Sequence, residues 1–288
     1  MSRRISTIFF GALALVMLSV SAPTTGASPR PVASAPRPTR IVSLSPTATE
    51  MLFAIGAGRQ VVAVDDQSNY PASAPRTKLS ELNPNAEAIA GYRPDLVVTA
   101  DDSVSAPLQQ LGVTDLVLPA ATRLADTYHQ LQQLGTQTGH RGAANQLVTT
   151  MKAELAKTAA EVPKRKVSPK VYWELDDTLF SADSSTFIGQ LLHEAGLRNI
   201  ADQAGGASSG YPQLSAEYVV AANPKYIFLA DTKCCAQTPA TVASRPGFAQ
   251  VQAVTTHHVI GLNDDVASRW GPRVVTLFEE IVNATKQP

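Results

Sequence analysis

Short apolar stretches alternate with polar segments along most of the chain, and each polar segment carries signals for the start and end of a helix. A Ser, Thr or Asn stands at the predicted helix starts, and Gly or Pro follows the ends. The apolar stretches are rich in Val, Ile and Leu, which is typical of buried parallel strands. This alternation predicts an α/β fold with mainly parallel sheets. The predicted strands are Arg40–Leu44, Val61–Val64, Leu96–Thr99, one near Leu116–Leu118, Lys170–Leu175, Tyr226–Ala230 and one near His258–Leu262.

One unit of this pattern occurs twice. Asn85–Glu87 opens a short helix that Pro94 terminates, and Ser215–Glu217 opens another that Pro224 terminates. In both copies a buried strand follows the Pro. The repetition predicts two similar lobes, and it places Glu87 and Glu217 at equivalent positions, one on each lobe.

The stretch between the two copies is helical. The pattern from Leu124 to Val162 predicts two helices, and the second spans about 30 Å at about 1.5 Å per residue. The predicted architecture is therefore two Rossmann-like α/β lobes joined by one long rigid helix. The predicted division is a lobe at 40–142, a connecting helix at 143–165 and a second lobe at 166–288.

The N-terminus has the features of an export signal. Arg3 and Arg4 precede an apolar run from Ile5 to Val20, and small residues follow it. We expect residues 1–27 to be a signal peptide and 28–39, rich in Pro and Ala, to be a flexible linker. The protein is then exported to the periplasm or cell envelope; an uncleaved signal that tethers it to the membrane is the alternative.

Composition excludes some functions. The chain of 288 residues has 24 basic and 24 acidic residues and no net charge, so nucleic acid is not an expected partner. Cys234 and Cys235 are the only cysteines, so a disulfide framework is not expected. Two loop thiols, a vicinal disulfide and a redox role all stay open. The five histidines form no spaced set, so we expect neither a metal site nor a cofactor.

The loops at the carboxyl ends of the predicted strands are polar and acidic. Ligands of open parallel sheets sit at these ends, and such loops suit a cationic or donor-rich ligand. Asp264 and Asp265, with Arg269 and Trp270 close behind, form the densest group. They are either a helix start or a ligand-contact loop, and both interpretations can hold together.

Two segments resemble enzyme motifs. Glu174–Phe180 is similar to the phosphatase motif of the haloacid dehalogenase superfamily, but Glu174 stands where that motif needs an Asp nucleophile. Gly206–Gly210 matches the nucleophile elbow around Ser208, but it lies in a glycine-rich loop rather than in a strand–turn–helix. We expect no enzymatic activity. A secreted hydrolase or phosphatase that uses Ser208, or Glu174 and Asp176, is the alternative from another class.

Several motifs resemble the type III periplasmic binding proteins of ABC importers, which bind vitamin B12, ferric siderophores or haem. They are Arg40–Glu50, Val64–Pro71, Arg93–Val97, Tyr211–Glu217 and Ser268–Arg273, in that order. The resemblance implies two α/β lobes on one long helix with little hinge motion. It also implies a monomer that carries a small molecule to an ABC permease, with Glu87 and Glu217 pairing with permease arginines.

The resemblance implies a ferric siderophore or cobalamin as the ligand, with haem as an alternative. The B12 binders place a stacking aromatic at Tyr211 and a polar contact at Asp265, whereas Gln67 and Glu81 stand where they carry aromatics. The haem binders use a Tyr shortly before the first Glu motif, and residues 79–83 contain none. The expected ligand contacts are Ser45, Asp66, Gln67, Trp173, Tyr211, Asp265, Arg269 and Trp270.

Overall fold

Five parallel strands form the sheet of the N-terminal lobe. The computed structural model describes residues 37–204 and 210–286. Within these ranges the first sheet has the order β3-β2-β1-β4-β5, with every pairing parallel. Its strands are β1 Ile41–Leu44, β2 Val61–Asp65, β3 Arg76–Leu79, β4 Leu96–Thr99 and β5 Asp115–Val117.

Four parallel strands form the second sheet, with the order β7-β6-β8-β9. They are β6 Lys170–Glu174, β7 Arg198–Asn199, β8 Tyr226–Leu229 and β9 Val259–Gly261. The expected pair of α/β lobes with parallel sheets is therefore confirmed. Two edge strands, β3 and β7, were not predicted, because both are short and polar.

Helices cover both faces of each sheet. Those of the first half are α1 Pro46–Ala54, α2 Ala86–Ala90, α3 Ser105–Gln110, α4 Leu124–Thr138 and α5 Arg141–Ala160. Those of the second half are α6 Phe187–Glu194, α7 Ala216–Ala222, α8 Pro239–Ala243, α9 Gln252–Thr255, α10 Asp264–Ala267 and α11 Val274–Thr285. Short 3-10 turns lie at Gly58–Gln60, Ile200–Gln203 and Phe248–Gln250.

The long helix α5 has 20 residues and leads from the first lobe to the second. Met151 and Leu155 of α5 lie in an apolar core that also contains Ile41 of β1 and Trp173 of β6. One continuous core therefore reaches from one sheet to the other. Each sheet also packs a separate core on its other face, because neighbouring strand residues point to opposite faces.

A serine caps the start of α1. The N-cap is Ser45, whose hydroxyl accepts a hydrogen bond from the Ala48 N–H, and Pro46 occupies the first helical position. Glu50 is buried and binds arginines of the other lobe. The strand predicted near His258–Leu262 corresponds to β9, which begins at Val259, and His257 before it has a positive φ.

Some predictions lie outside the described residues. They are the signal peptide at 1–27, the linker at 28–39 except for its last three residues, and the catalytic alternative at Ser208. Within 37–204 and 210–286, no helix combines the length and the apolar character needed to cross a membrane.

Candidate functional site

The carboxyl ends of β2 and β9 meet where the two lobes face each other. Arg269, which follows α10, is buried and reaches from the second lobe into the first. Its guanidinium donates to the Glu50 carboxylate at 2.8 Å, to the Asn69 amide oxygen at 3.0 Å and to the Gln67 carbonyl at 3.0 Å. It also donates to Asp265 at 3.0 Å. The loop after β2 and the start of α10 therefore share one cation.

A second arginine completes this interlobe cluster, which we define as Glu50, Asn69, Asp265, Arg269 and Arg273. The Nε of Arg273 donates to Glu50 at 2.8 Å, and its guanidinium lies 4.4 Å from the centre of the Tyr70 ring. Glu50 is 3% exposed, so it meets two guanidinium groups with almost no water. Buried charges are tolerated only when they are paired in this way.

Asp265 joins the interlobe cluster to a surface loop. It accepts hydrogen bonds from Lys233 Nζ at 2.6 Å and from the Asn69 amide at 3.1 Å. Burial alone would raise the pKa of Asp265, but the hydrogen bond from Lys233 and the charge of Arg269 lower it below its usual value. Asp265 is therefore a carboxylate that already has several donors around it.

The first lobe presents an acidic edge, which we define as Asp66, Glu81 and Asp101. Each follows the carboxyl end of a strand, and Glu81 and Asp101 line the same small cavity. Burial, together with the charge of Asp65, raises the pKa of Glu81 to about 7, although Arg269 opposes the rise. Glu81 can thus either donate or accept a hydrogen bond near neutral pH.

The second lobe buries a pair of carboxyl groups at the ends of β6 and β8. Glu174 is fully buried and forms a bidentate pair with Arg245 at 2.7 and 2.6 Å. Asp231 is also fully buried, and within the described residues neither of its oxygens has a hydrogen-bond donor. Burial and the neighbouring Glu174 raise the pKa of Asp231 to about 7. A proton on Asp231 relieves its repulsion with the Glu174 carboxylate.

The structure brings together three of the expected ligand contacts. Gln67, Asp265 and Arg269 meet in or beside the interlobe cluster. Asp66 is exposed next to them, and its carboxylate accepts a hydrogen bond from the Gln67 side-chain amide at 3.2 Å. Trp270 is half-buried; its indole N–H donates to Gln130 of α4 at 2.9 Å. It therefore also links the two halves of the molecule.

Other expected contacts lie elsewhere. Trp173 is fully buried in the apolar core and cannot touch a ligand in the cleft, so this expectation is wrong. It lies in a strand covered on both faces, where apolar residues carry no sign of which side is open. Ser45 is 2% exposed and its hydroxyl caps α1. Tyr211 is half-buried against the core, and burial, with the charge of Asp183, raises its pKa.

Sequence reasoning did not assign Glu50, Asn69 or Arg273 to the site, because their partners are distant in the chain. The contact between Glu50 and Arg269 spans 219 positions. One available signal was the spacing of Asp265, Arg269 and Arg273, which puts three charged residues at intervals of four.

A cavity of about 580 Å³ adjoins the interlobe cluster on the side of α1 and α11. Glu50, Tyr70 and Arg273 belong to its lining, together with Phe53 and Glu279. None of the ligand contacts expected from the sequence lines it. The cavity is therefore separate from the ligand contacts that the sequence indicated.

In the segment Glu174–Phe180, both candidate catalytic carboxylates are engaged in hydrogen bonds within the second lobe. Both oxygens of Glu174 are held by Arg245, and Asp176 accepts hydrogen bonds from the backbone and hydroxyl of Thr178 in its own loop. In residues 37–204 and 210–286, no group of three or more His, Cys, Asp and Glu is placed to hold a metal ion.

Glu87 and Glu217 occupy equivalent places on the two lobes. Each is the second residue of a short helix, α2 or α7, whose N-cap side chain accepts a backbone N–H. The caps are Asn85, at 2.9 Å, and Ser215, at 3.1 Å. Both glutamates are exposed.

The two α/β lobes, each built on a parallel sheet, share a core and meet at their strand ends. This is the architecture of a bilobal ligand-binding protein. A family model described as "Periplasmic binding protein" matches residues 41–266. The chain belongs to this family, whose members are substrate-binding proteins rather than enzymes.

Three similar proteins illustrate the family. The first is the uncharacterized ABC transporter substrate-binding lipoprotein YvrC of Bacillus subtilis (strain 168), 30% identical over 86% of this chain and 80% of that one. The second is a cobalamin-binding protein of Halobacterium salinarum, 31% identical over 86% and 69% of the two chains. A solved structure, the periplasmic heme-binding protein RhuT from Roseiflexus sp. RS-1, superposes with a TM-score of 0.74 at 24% identity, covering 86% and 99%. At that identity the likeness shows the fold alone.

Proposed function

We propose that this chain is an exported substrate-binding protein that captures a corrinoid of the cobalamin type between its lobes and delivers it to an ABC import permease. The acidic edge carries the proposal. Corrinoids bear peripheral primary amides, whose N–H groups need acceptors, and Asp66, Glu81 and Asp101 supply carboxyl oxygens at the strand ends. A strongly anionic iron chelate would meet repulsion at the same edge.

Relatives support this choice of ligand. A protein named for cobalamin binding is 31% identical to this chain, and one named vitamin B12-binding protein, from Pectobacterium carotovorum, is 30% identical. Within the cleft, we assign Asp66, Gln67, Tyr211, Asp265 and Trp270 as ligand contacts. Arg269 and Ser45 act by holding the two lobes and α1 in place.

Calorimetric titration of the purified protein with cyanocobalamin, haem, and a neutral and an anionic ferric siderophore tests the ligand. We expect cyanocobalamin to bind most tightly. A variant with Asp66→Ala and Gln67→Ala should bind it at least ten-fold more weakly, because both side chains are exposed and have no other partner beyond each other in the described residues. Glu161→Ala, on the far end of α5, serves as the control. Tighter binding of haem or of either siderophore would contradict the corrinoid assignment.

We further propose that Glu87 and Glu217 dock the loaded protein onto the permease. Two separated charges on one rigid body fix orientation and speed encounter. Glu87→Lys and Glu217→Lys should each reduce ligand-stimulated ATPase activity of the reconstituted importer, and more so at low salt, without changing ligand affinity. Glu194→Lys, also an exposed glutamate in a short helix, is the matched control. Equal activity of all three variants would refute the docking role.

A further inference from the structure

The two cysteines lie in a loop that we call the thiol loop, residues 231–238, between β8 and α8. Cys234 is exposed, Cys235 is half-exposed, and both are free thiols. Neither belongs to the acidic edge or to the interlobe cluster. The loop starts at buried Asp231 and contains Lys233, whose ammonium binds Asp265.

Asp264, the first residue of α10, holds the thiol loop in place. Its carboxylate accepts the backbone N–H groups of Lys233 at 2.8 Å and Cys234 at 3.0 Å, and the Thr232 hydroxyl at 2.7 Å. The peptide that joins the two cysteines has its own hydrogen bond, from the Cys235 N–H to the Asp231 carbonyl at 3.2 Å. The backbone N–H groups of both cysteines therefore take part in the hydrogen bonds that hold the thiol loop.

The raised pKa of the Cys234 thiol slows its reactions but does not stabilise the reduced pair. Although Cys234 is exposed as a residue, desolvation of its thiol and a hydrogen bond with Cys235 raise its pKa to about 12. The thiolate is the reactive form, so Cys234 reacts slowly alone. The raised pKa also means that no stabilised Cys234 thiolate favours the reduced pair, whereas such a thiolate makes some dithiols resist oxidation.

We propose that Cys234 and Cys235 form a reversible redox site that closes to a vicinal disulfide by exchange with a protein or glutathione disulfide. This rests on the proposed export, because such oxidants act outside the cytoplasm. One thiolate attacks the external disulfide and releases one external thiol. The second cysteine then displaces the other, so the pair loses two protons and two electrons and the oxidant leaves as two thiols.

Ring closure has a structural consequence. Adjacent Cα atoms lie about 3.8 Å apart, whereas bridged cysteines usually have Cα atoms about 4.4–6.8 Å apart. Because the peptide holds that separation below the usual range, closure strains both the disulfide and the intervening peptide, and we expect the resulting distortion to move the Cys235 N–H away from the Asp231 carbonyl. A disulfide under such strain is easily reduced, so the site acts as a switch rather than as a structural bridge.

Thiol mapping of the full chain tests the first step. The protein is equilibrated at varied ratios of oxidised to reduced glutathione, quenched in acid, unfolded, alkylated and weighed by mass spectrometry. At the most reducing ratio we expect two alkyl groups on the protein. At the most oxidising ratio we expect no alkyl group and no glutathione adduct. Cys235→Ser should stop at one glutathione adduct on Cys234. Two alkylatable thiols throughout, or a stable adduct on the unaltered protein, would overturn the proposal.

Hydrogen exchange across residues 231–238 tests the consequence. The Cys235 amide should exchange about ten-fold faster in the oxidised protein, since one hydrogen bond is lost. The double variant Cys234→Ser, Cys235→Ser should show no dependence on the redox buffer. Unchanged exchange in an oxidised sample would refute the distortion. No ligand is used in either experiment, so a failure of corrinoid binding would leave both results intact.

Discussion

Removing Glu50 should loosen the junction between the lobes more than any change in an exposed ion pair. Glu50 is 1% exposed at its side chain, and its two partners, Arg269 and Arg273, are 9% and 20% exposed. Glu50→Ala leaves both guanidinium groups poorly solvated and short of a counter-charge. Breaking a buried pair in this way costs about 3–5 kcal/mol. Arg269 keeps Asp265 and Asn69, so the lower half of that range is expected.

Thermal unfolding measures this loss directly. In a protein of this size, 1 kcal/mol lowers the midpoint by about 2–4 °C, so Glu50→Ala should lower it by roughly 6–16 °C. Glu50→Gln keeps the shape and one acceptor oxygen and should lose less, which separates charge from packing. Glu161→Ala breaks an exposed pair with Lys286 and should leave the midpoint unchanged. If Glu50→Ala and Glu161→Ala behave alike, the interlobe cluster does not stabilise the fold as argued.

The remaining predictions concern the second lobe and local geometry. Because the pKa of Asp231 is raised to about 7, the stability that its protonated form contributes is full below about pH 4 and is lost as the pH rises through 7. Glu81, whose pKa is also raised to about 7, contributes to stability over the same range. Asp231→Asn should therefore reduce by several degrees, without abolishing, the fall in the unfolding midpoint between pH 5 and pH 8; a fall as large as that of the unaltered protein would contradict this. Gly189→Ala should cost about 1–3 kcal/mol, because the new Cβ would clash with the Asp183 carbonyl oxygen. Gly142→Ala, with open space at its Cβ, should instead match or exceed the unaltered protein in a denaturant titration. Ser215→Ala should cost about 1 kcal/mol by removing the cap of α7; no loss in the same titration would mean that the cap contributes nothing.

Local features were predictable from the sequence, whereas long-range ones were not. The caps at Asn85 and Ser215 act over three residues, so their pattern alone revealed both helices. The edge strand β3 pairs with β2 and carries only one buried residue, Leu79, so it has no apolar pattern to detect. The role of Glu50 was hidden for a different reason. Its partners Arg269 and Arg273 lie 219 and 223 positions away, and its own sequence context resembles an ordinary helix start.

The wrong assignment of Trp173 has a physical cause. An aromatic residue near the end of a strand can face the cleft or the core, and periodicity distinguishes these only when one face of the sheet is polar. Here Tyr172 and Trp173 are neighbours and both are fully buried, one in each of the cores on the two faces of β6. The core that each of these side chains enters is set by its position along β6 and not by its residue type.

The shared core and the interlobe cluster together affect how much of the binding free energy a movement of the lobes would consume. A protein whose lobes must close around a ligand spends part of its binding free energy on that movement. In this chain the apolar core already runs from β1 through α5 to β6, and Arg269 already spans the junction. We therefore expect little reorganisation to oppose binding, and a separation between Glu87 and Glu217 that changes little when the cleft is filled. A permease that reads that separation alone could not distinguish loaded from empty protein. Under the proposed function, the discrimination must therefore come from the ligand itself or from the side chains that contact it.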